Sequence, residues 1–128
     1  MIPKFRVWMK SLKWMCDVTN ISLDSKFVDI CQQGDTERYT EMSVEFDEIT
    51  LMQSTGLFDR NGKEIFDGDI VKMSKDVYSE PTYYEVVRHY GGAYRLESKQ
   101  HGCELWLRHT DCEVVGNIYE NPELLEDK

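Results

Sequence analysis

Long apolar runs are missing from this sequence. Nothing in its 128 residues approaches the roughly 20 consecutive apolar positions that a membrane-spanning helix needs, so no membrane partner is expected. Met1 to Trp14 alternates charged and hydrophobic residues and lacks the apolar core and cleavage site of a secretory signal. The expected location is therefore the cytoplasm of a cell, where thiols stay reduced. Positive charge is also scarce: 15 Lys and Arg stand against 24 Asp and Glu, a formal net charge of −9. Binding to a phosphate backbone is driven by Lys and Arg displacing counterions. The densest basic group, Lys4, Arg6, Lys10 and Lys13, is only partly continuous, which disfavours nucleic acid as a partner. Catalytic signatures are absent as well. There is no Gly-x-Ser-x-Gly elbow, Walker loop, Gly-x-Gly-x-x-Gly or His-Glu-x-x-His. The expectation is a protein that is not an enzyme and carries no cofactor. Helical periodicity is nearly absent too, and no internal repeat, low-complexity tract or interdomain linker stands out.

What is present is a β pattern over a sufficient core. Hydrophobic residues make up 41% of the chain, and a chain of this size buries roughly two-thirds of its unfolded surface. Phe5 to Trp8 and Trp14 to Val18 read as a hairpin around Lys10 to Lys13, with Trp8 and Trp14 candidates for packing across it. Phe27 to Cys31 reads as a third strand. Met42, Val44 and Phe46 alternate with polar residues and predict a fourth. Tyr83 to Tyr90, a Gly91-Gly92 turn and Ala93 to Leu96 predict a later hairpin. Ser98 to Cys103 reads as a polar turn. Leu105 to Leu107 and Cys112 to Val115 read as further strands. Asn121, Pro122 and Glu123 carry helix-start chemistry, which predicts a short C-terminal helix at most.

The sharpest signal is LMQSTGLFDRNGKEIFDGDIVKM, Leu51 to Met73. Asn61-Gly62, flanked by Leu57, Phe58, Ile65 and Phe66, predicts a hairpin with a type I′ turn, in which both central residues take positive φ. Asp67-Gly68-Asp69 breaks the chain before Ile70 to Met73 restarts it. This run closely resembles the central motif of the YopX-like proteins, small proteins encoded by bacteriophages and prophages. KFRVWM (Lys4 to Met9) and VVGNIYENPELL (Val114 to Leu125) match the same family pattern, in the same order. Two positions depart from it: Met9 stands where Asp is frequent, and Ser54 where an aromatic is usual. The resemblance implies a phage origin and a mostly-β fold. It brings no established activity with it. The expected architecture is mostly β, with bent, barrel-like sheets and an SH3-like C-terminal lobe. The chain is expected to form a single domain over residues 1–128, with an N-terminal β lobe at 1–50 and a C-terminal lobe at 51–128.

Two constellations carry chemistry. His101, Cys103, His109 and Cys112 supply the ligand types of a structural zinc, but each pair mixes His with Cys, unlike the usual knuckles. The simpler reading is two turns with cysteines in the core, since buried Cys behaves as a small hydrophobe. Asp59, Asn61, Glu64, Asp67 and Asp69 crowd the central hairpin. Their spacing fails the calcium-loop pattern, and turn capping by Asp and Asn explains them. For a binding surface the candidates are Tyr83, Tyr84, Tyr90, Tyr94 and Trp106. Alternation puts Tyr83 and Tyr84 on opposite faces of one strand, so one of them meets solvent or a partner.

Together these features predict a phage-encoded, non-enzymatic interaction module that acts through a protein partner or self-association. The alternative is a nucleic-acid-associated accessory protein using an SH3-like surface. Purified protein is expected to contain less than one zinc per chain by elemental analysis; stoichiometric zinc would restore the metal reading.

Overall fold

The computed structural model describes residues 4–74, 78–89, 92–99 and 102–126. Among the described residues eleven strands form two antiparallel sheets. Among the described residues no helix is long and apolar enough to cross a membrane. The chain divides into two compact units, Met1–Gln53 and Ser54–Lys128.

In the first unit, β1 (Phe5–Met9), β2 (Trp14–Ser22), β3 (Phe27–Gln32) and β4 (Met42–Glu45) form an antiparallel meander. A 3-10 turn at Phe46–Glu48 follows, and β5 (Ile49–Phe58) returns to pair with the free edge of β1. Period-two alternation builds the core. Val7 lies opposite Cys16 on one side and Leu51 on the other, and it is fully buried. Met9, Cys16, Val28, Ile30, Val44 and Ile49 join it. Met9, not Trp8, is the partner of Trp14, so the two tryptophans project from opposite faces and do not pack across the hairpin.

The second unit repeats this wiring. After the short β6 (Glu64–Phe66), which pairs with the second half of β5, come β7 (Asp69–Met73), β8 (Thr82–Arg88), β9 (Tyr94–Glu97) and β10 (Gly102–Glu104) as a second meander. A helical stretch follows, α1 (Leu105–Arg108) and then a 3-10 turn at His109–Asp111. Strand β11 (Glu113–Asn117) then returns to the free edge of β7. The strand orders are β4-β3-β2-β1-β5-β6 and β10-β9-β8-β7-β11, so apart from β6 at the edge of the first sheet both have four meandering strands, a helical turn and a fifth strand pairing with the first. Val71 takes the place of Val7: it is fully buried, between Tyr84 and Val114. Ile65, Met73, Val86, Leu96, Leu105 and Cys112 complete that core.

Three local expectations are corrected. Leu105 to Leu107 is a helical turn, not a strand. Only Leu105 is buried while Trp106 and Leu107 are 63% and 58% exposed, and three residues of alternation are too few to fix a strand. Gly102–Glu104, read as part of a polar turn, is instead a strand held by the ladder to β9. The central hairpin has no type I′ turn, because among the described residues Asn61 is not one of the non-glycine residues at positive φ, whereas Gly62 lies at φ 81°. The loop has three residues closed by Asp59 N–H to the Lys63 carbonyl at 2.8 Å and Gly62 N–H to the Asp59 carbonyl at 3.0 Å.

Asp59 explains that choice. Its side chain is buried and accepts the N–H groups of Asn61, Lys63 and Val114, each at 2.8 Å. One carboxylate therefore fixes both the hairpin and the start of the returning strand β11. Burial pushes its pKa up, but the N–H donors of Val114, Lys63 and Asn61 outweigh that, and the carboxyl titrates below its ordinary value. The stability it contributes is present above the ordinary aspartate pKa and is lost as pH falls through the depressed one. Asp59→Ala strands three backbone donors and is expected to destabilise the protein by about 3 kcal/mol at neutral pH. Urea denaturation at pH 7 and at pH 3 checks this, with a smaller gap expected at the lower pH.

Candidate functional site

On the core face of the first unit one area is left unfilled. A cavity of about 440 Å3 is lined by Phe5, Ile21, Leu23, Val28, Phe46, Ile49 and Leu51 and by no polar side chain. The sheet register assembles it. Ile21 is paired with Val28 across β2 and β3, and Leu51 lies beside Val7 on β1. Phe46 reaches the site because the 3-10 turn is tied down: its N–H donates to the Lys26 carbonyl at 3.1 Å in the turn between β2 and β3. The Glu48 carboxylate also accepts the Glu45 N–H at 2.8 Å, which closes the start of that turn. Three lining residues reach solvent: Leu23 is 76% exposed, Leu51 46% and Phe46 36%. Beyond Phe46 lies a second recess of about 360 Å3, bordered by Ser25, Lys26, Glu45 and Asp47. An apolar pocket with a charged rim can bind an apolar side chain and orient it; it holds no acid, base or nucleophile to act on one.

The residues singled out in the sequence lie elsewhere. Tyr83 is 37% exposed and borders a recess of about 530 Å3 in the second unit that Leu124 and Leu125 help to wall. Glu85 and Glu97, directly opposite across β8 and β9, line the same recess. Tyr84 points the other way and belongs to the core, 5% exposed, so it offers no surface. Tyr94 is half-buried against that core, and Trp106 projects from α1. Tyr90 and His101 lie outside the described residues.

For the zinc ligands, Cys112 is fully buried; its thiol donates to the Arg108 carbonyl at 3.3 Å and touches the Met73 sulfur at 3.8 Å. Cys103 is half-buried against the same core. The Nδ1 of His109 donates to the Phe58 carbonyl at 2.8 Å. Among the described residues no three His, Cys, Asp or Glu side chains gather as a metal site. Burial pushes the Cys112 thiol up to about 12 and the Cys16 thiol up to about 11, so both are protonated at neutral pH.

Asp59 and Asp69 of the hairpin serve its backbone, and Glu64 serves a side chain. Besides Asp59, Asp69 accepts the Phe66 N–H at 2.8 Å, and Glu64 accepts the Ser54 hydroxyl. Ser54, which departs from the aromatic usual in the resembling family, thus has a cross-strand partner.

The family profile described as YopX protein matches residues 4–126. The chain belongs to the YopX protein family. Its fold is similar to that of protein EF1440 from Enterococcus faecalis, at 33% identity and a TM-score of 0.64, over 98% of this chain and 99% of that one. It is also similar to protein yopX from Bacillus subtilis, at 24% identity and a TM-score of 0.62, over 96% and 98% of the two chains. Among curated proteins, none matches. The YopX assignment spans both units and adds no chemistry to the cavity.

Cysteine labelling tests the burial of the thiols. Native protein at pH 8 is expected to leave Cys16 and Cys112 unmodified by iodoacetamide for hours, and denaturant to expose both, as read by mass spectrometry of tryptic peptides.

Proposed function

We propose that this protein is a non-enzymatic protein-interaction module, encoded by a phage or prophage and acting in the cytoplasm of the bacterial host. The observation that carries this reading is the apolar cavity of the first unit, lined without a polar side chain and open at Leu23, Phe46 and Leu51. Exposed apolar area next to an open pocket is a feature of surfaces that meet other macromolecules. Elsewhere in the chain, the buried Cys16 and Cys112 thiols are held protonated, and Asp59 and Asp69 accept backbone N–H groups.

An SH3-like reading of the second unit is supported by its wiring, a four-strand meander and a helical turn before a fifth strand on the first. Small barrels of that kind serve as recognition modules for short peptide segments. The net charge of −9 opposes a nucleic-acid role.

Affinity capture of the tagged full-length chain from phage-infected host cells, with and without nuclease, tests the reading. A specific protein partner retained after nuclease treatment, and captured reciprocally when it carries the tag, is the expected result. Partners lost with nuclease would replace the reading with nucleic-acid association.

A further inference from the structure

Past β11 the chain doubles back onto the second sheet. β11 ends at Asn117, whose side chain builds the reversal: its carboxamide oxygen accepts the N–H groups of Tyr119 and Glu120 at 3.0 and 2.9 Å. The Asn121 N–H donates to the Asn117 carbonyl at 2.9 Å, and the Asn121 side chain accepts the Asn117 N–H at 3.2 Å. Asn121 lies directly on Gly116, where a Cβ would run into its side chain. The reversal sets a 3-10 turn, Pro122–Leu125, against β8. There Leu124, Leu125 and Glu126 wall the recess of about 530 Å3 together with Tyr83, Glu85 and Glu97.

Two carboxylates meet beneath this strap. Glu85 is directly opposite Glu97 across β8 and β9 and directly opposite Ile70 across β7 and β8, so all three share one face of the sheet. Ile70 is fully buried although that face is turned away from the core around Val71, so the sheet is covered at this point. Glu85 is half-buried, and among the described residues it makes no hydrogen bond and no ion pair. The acids around it are Glu97 on β9, Asp67 in the turn before β7 and Glu126 at the end of the strap. Of the cations, Arg95 is bonded to Glu97 and Glu104, Lys72 pairs with Glu113, and Lys99 lines the recess without pairing with Glu85. Burial pushes the Glu85 carboxyl up, and the charges of Asp67 and Glu97 push it further.

We propose that the Glu85–Glu97 pair makes the C-terminal strap a pH-sensitive latch, closed on the sheet while Glu85 holds a proton and loosened when both carboxylates are charged. With one proton between them, the Glu85 carboxyl can donate to the Glu97 carboxylate and no like-charge pair is enclosed. Once that proton leaves, two anions repel across the ladder beside leucine side chains. Water entering beneath the strap relieves both the repulsion and the desolvation. Linkage fixes the direction. The closed state holds the proton more tightly than an open state in which Glu85 is hydrated. Closure is therefore complete below the ordinary glutamate pKa and is lost as pH rises through the raised one. That interval lies above the one in which Asp59 loses its own contribution, so the two effects are separable.

Methyl NMR of leucine-labelled full-length protein, titrated from about pH 4.5 to about pH 8, tests the inference. The Leu124 and Leu125 resonances are expected to move toward free-chain positions as pH rises, with a midpoint above the ordinary glutamate value. In Glu85→Gln they should stay at the low-pH positions throughout, and in Glu97→Gln the midpoint should fall. Gly116→Ala should give the loosened positions at every pH, while the core residues Leu96 and Leu105 keep theirs and report an intact fold.

Leu124 and Leu125 resonances that ignore pH, or that approach free-chain positions as pH falls, would overturn the proposal. So would a titration that survives in Glu85→Gln, because the proton would then belong to a histidine or another carboxyl. A midpoint unchanged in Glu97→Gln would remove the pair from the latch.

Discussion

Each unit depends on a first strand that is hydrogen-bonded on both sides. β1 and β7 sit between the second strand of their meander and a fifth strand that comes back from beyond a helical turn. At the centre of each is a fully buried valine, Val7 or Val71. Without the return pairing, these strands would be exposed edges and their valines would lose a neighbour on one side. The helical turn is what makes the return feasible: it reverses the chain within a few residues and delivers an apolar side chain, Phe46 or Leu105. The two differ in consequence. Leu105 is fully buried and Phe46 is 36% exposed, and it is the unit containing Phe46 that retains an open cavity.

Most of the strands were legible because their signals are local. β4 carries period-two alternation, with Met42 and Val44 separated by Ser43, while β1 and β3 are marked by apolar and β-branched residues. The hairpin at Asn61-Gly62 was legible in place but not in type, since its form is decided by the Asp59 carboxylate and by Val114, 55 residues away. β10 and α1 were misread for a related reason. Three-residue segments carry no period of their own, and tertiary pairing settles them. The shared wiring of the two units was invisible in sequence. It is written in strand order, while the aligned positions differ in chemistry: Phe5 opens β1 where Asp69 opens β7, and Cys16 faces Val7 where Tyr84 faces Val71.

The candidate site was illegible for a different reason. Its lining residues are spread from Phe5 to Leu51, and each one, taken alone, reads as an ordinary core position. Only the register of four strands and the tie from Phe46 to Lys26 bring them around one space. The tyrosines drew attention in sequence because they cluster along the chain. Clustering along a strand divides residues between its two faces, and Tyr84 went inward while Tyr83 went outward. The family resemblance, by contrast, was legible from three ordered motifs, all of which lie within the profile match over residues 4–126.

The placement of the three tryptophans gives the molecule built-in optical reporters. Trp8 and Trp14 belong to the first unit and are half-buried, while the second unit's only tryptophan, Trp106, is already 63% exposed on α1. Loss of structure in the first unit therefore moves indoles from a partly apolar setting into water, whereas loss of structure in the second leaves its indole's surroundings nearly unchanged. Intrinsic emission, followed alone, sees mainly half of this protein. A transition seen by far-ultraviolet dichroism but missed by tryptophan emission belongs to the unit built on Val71.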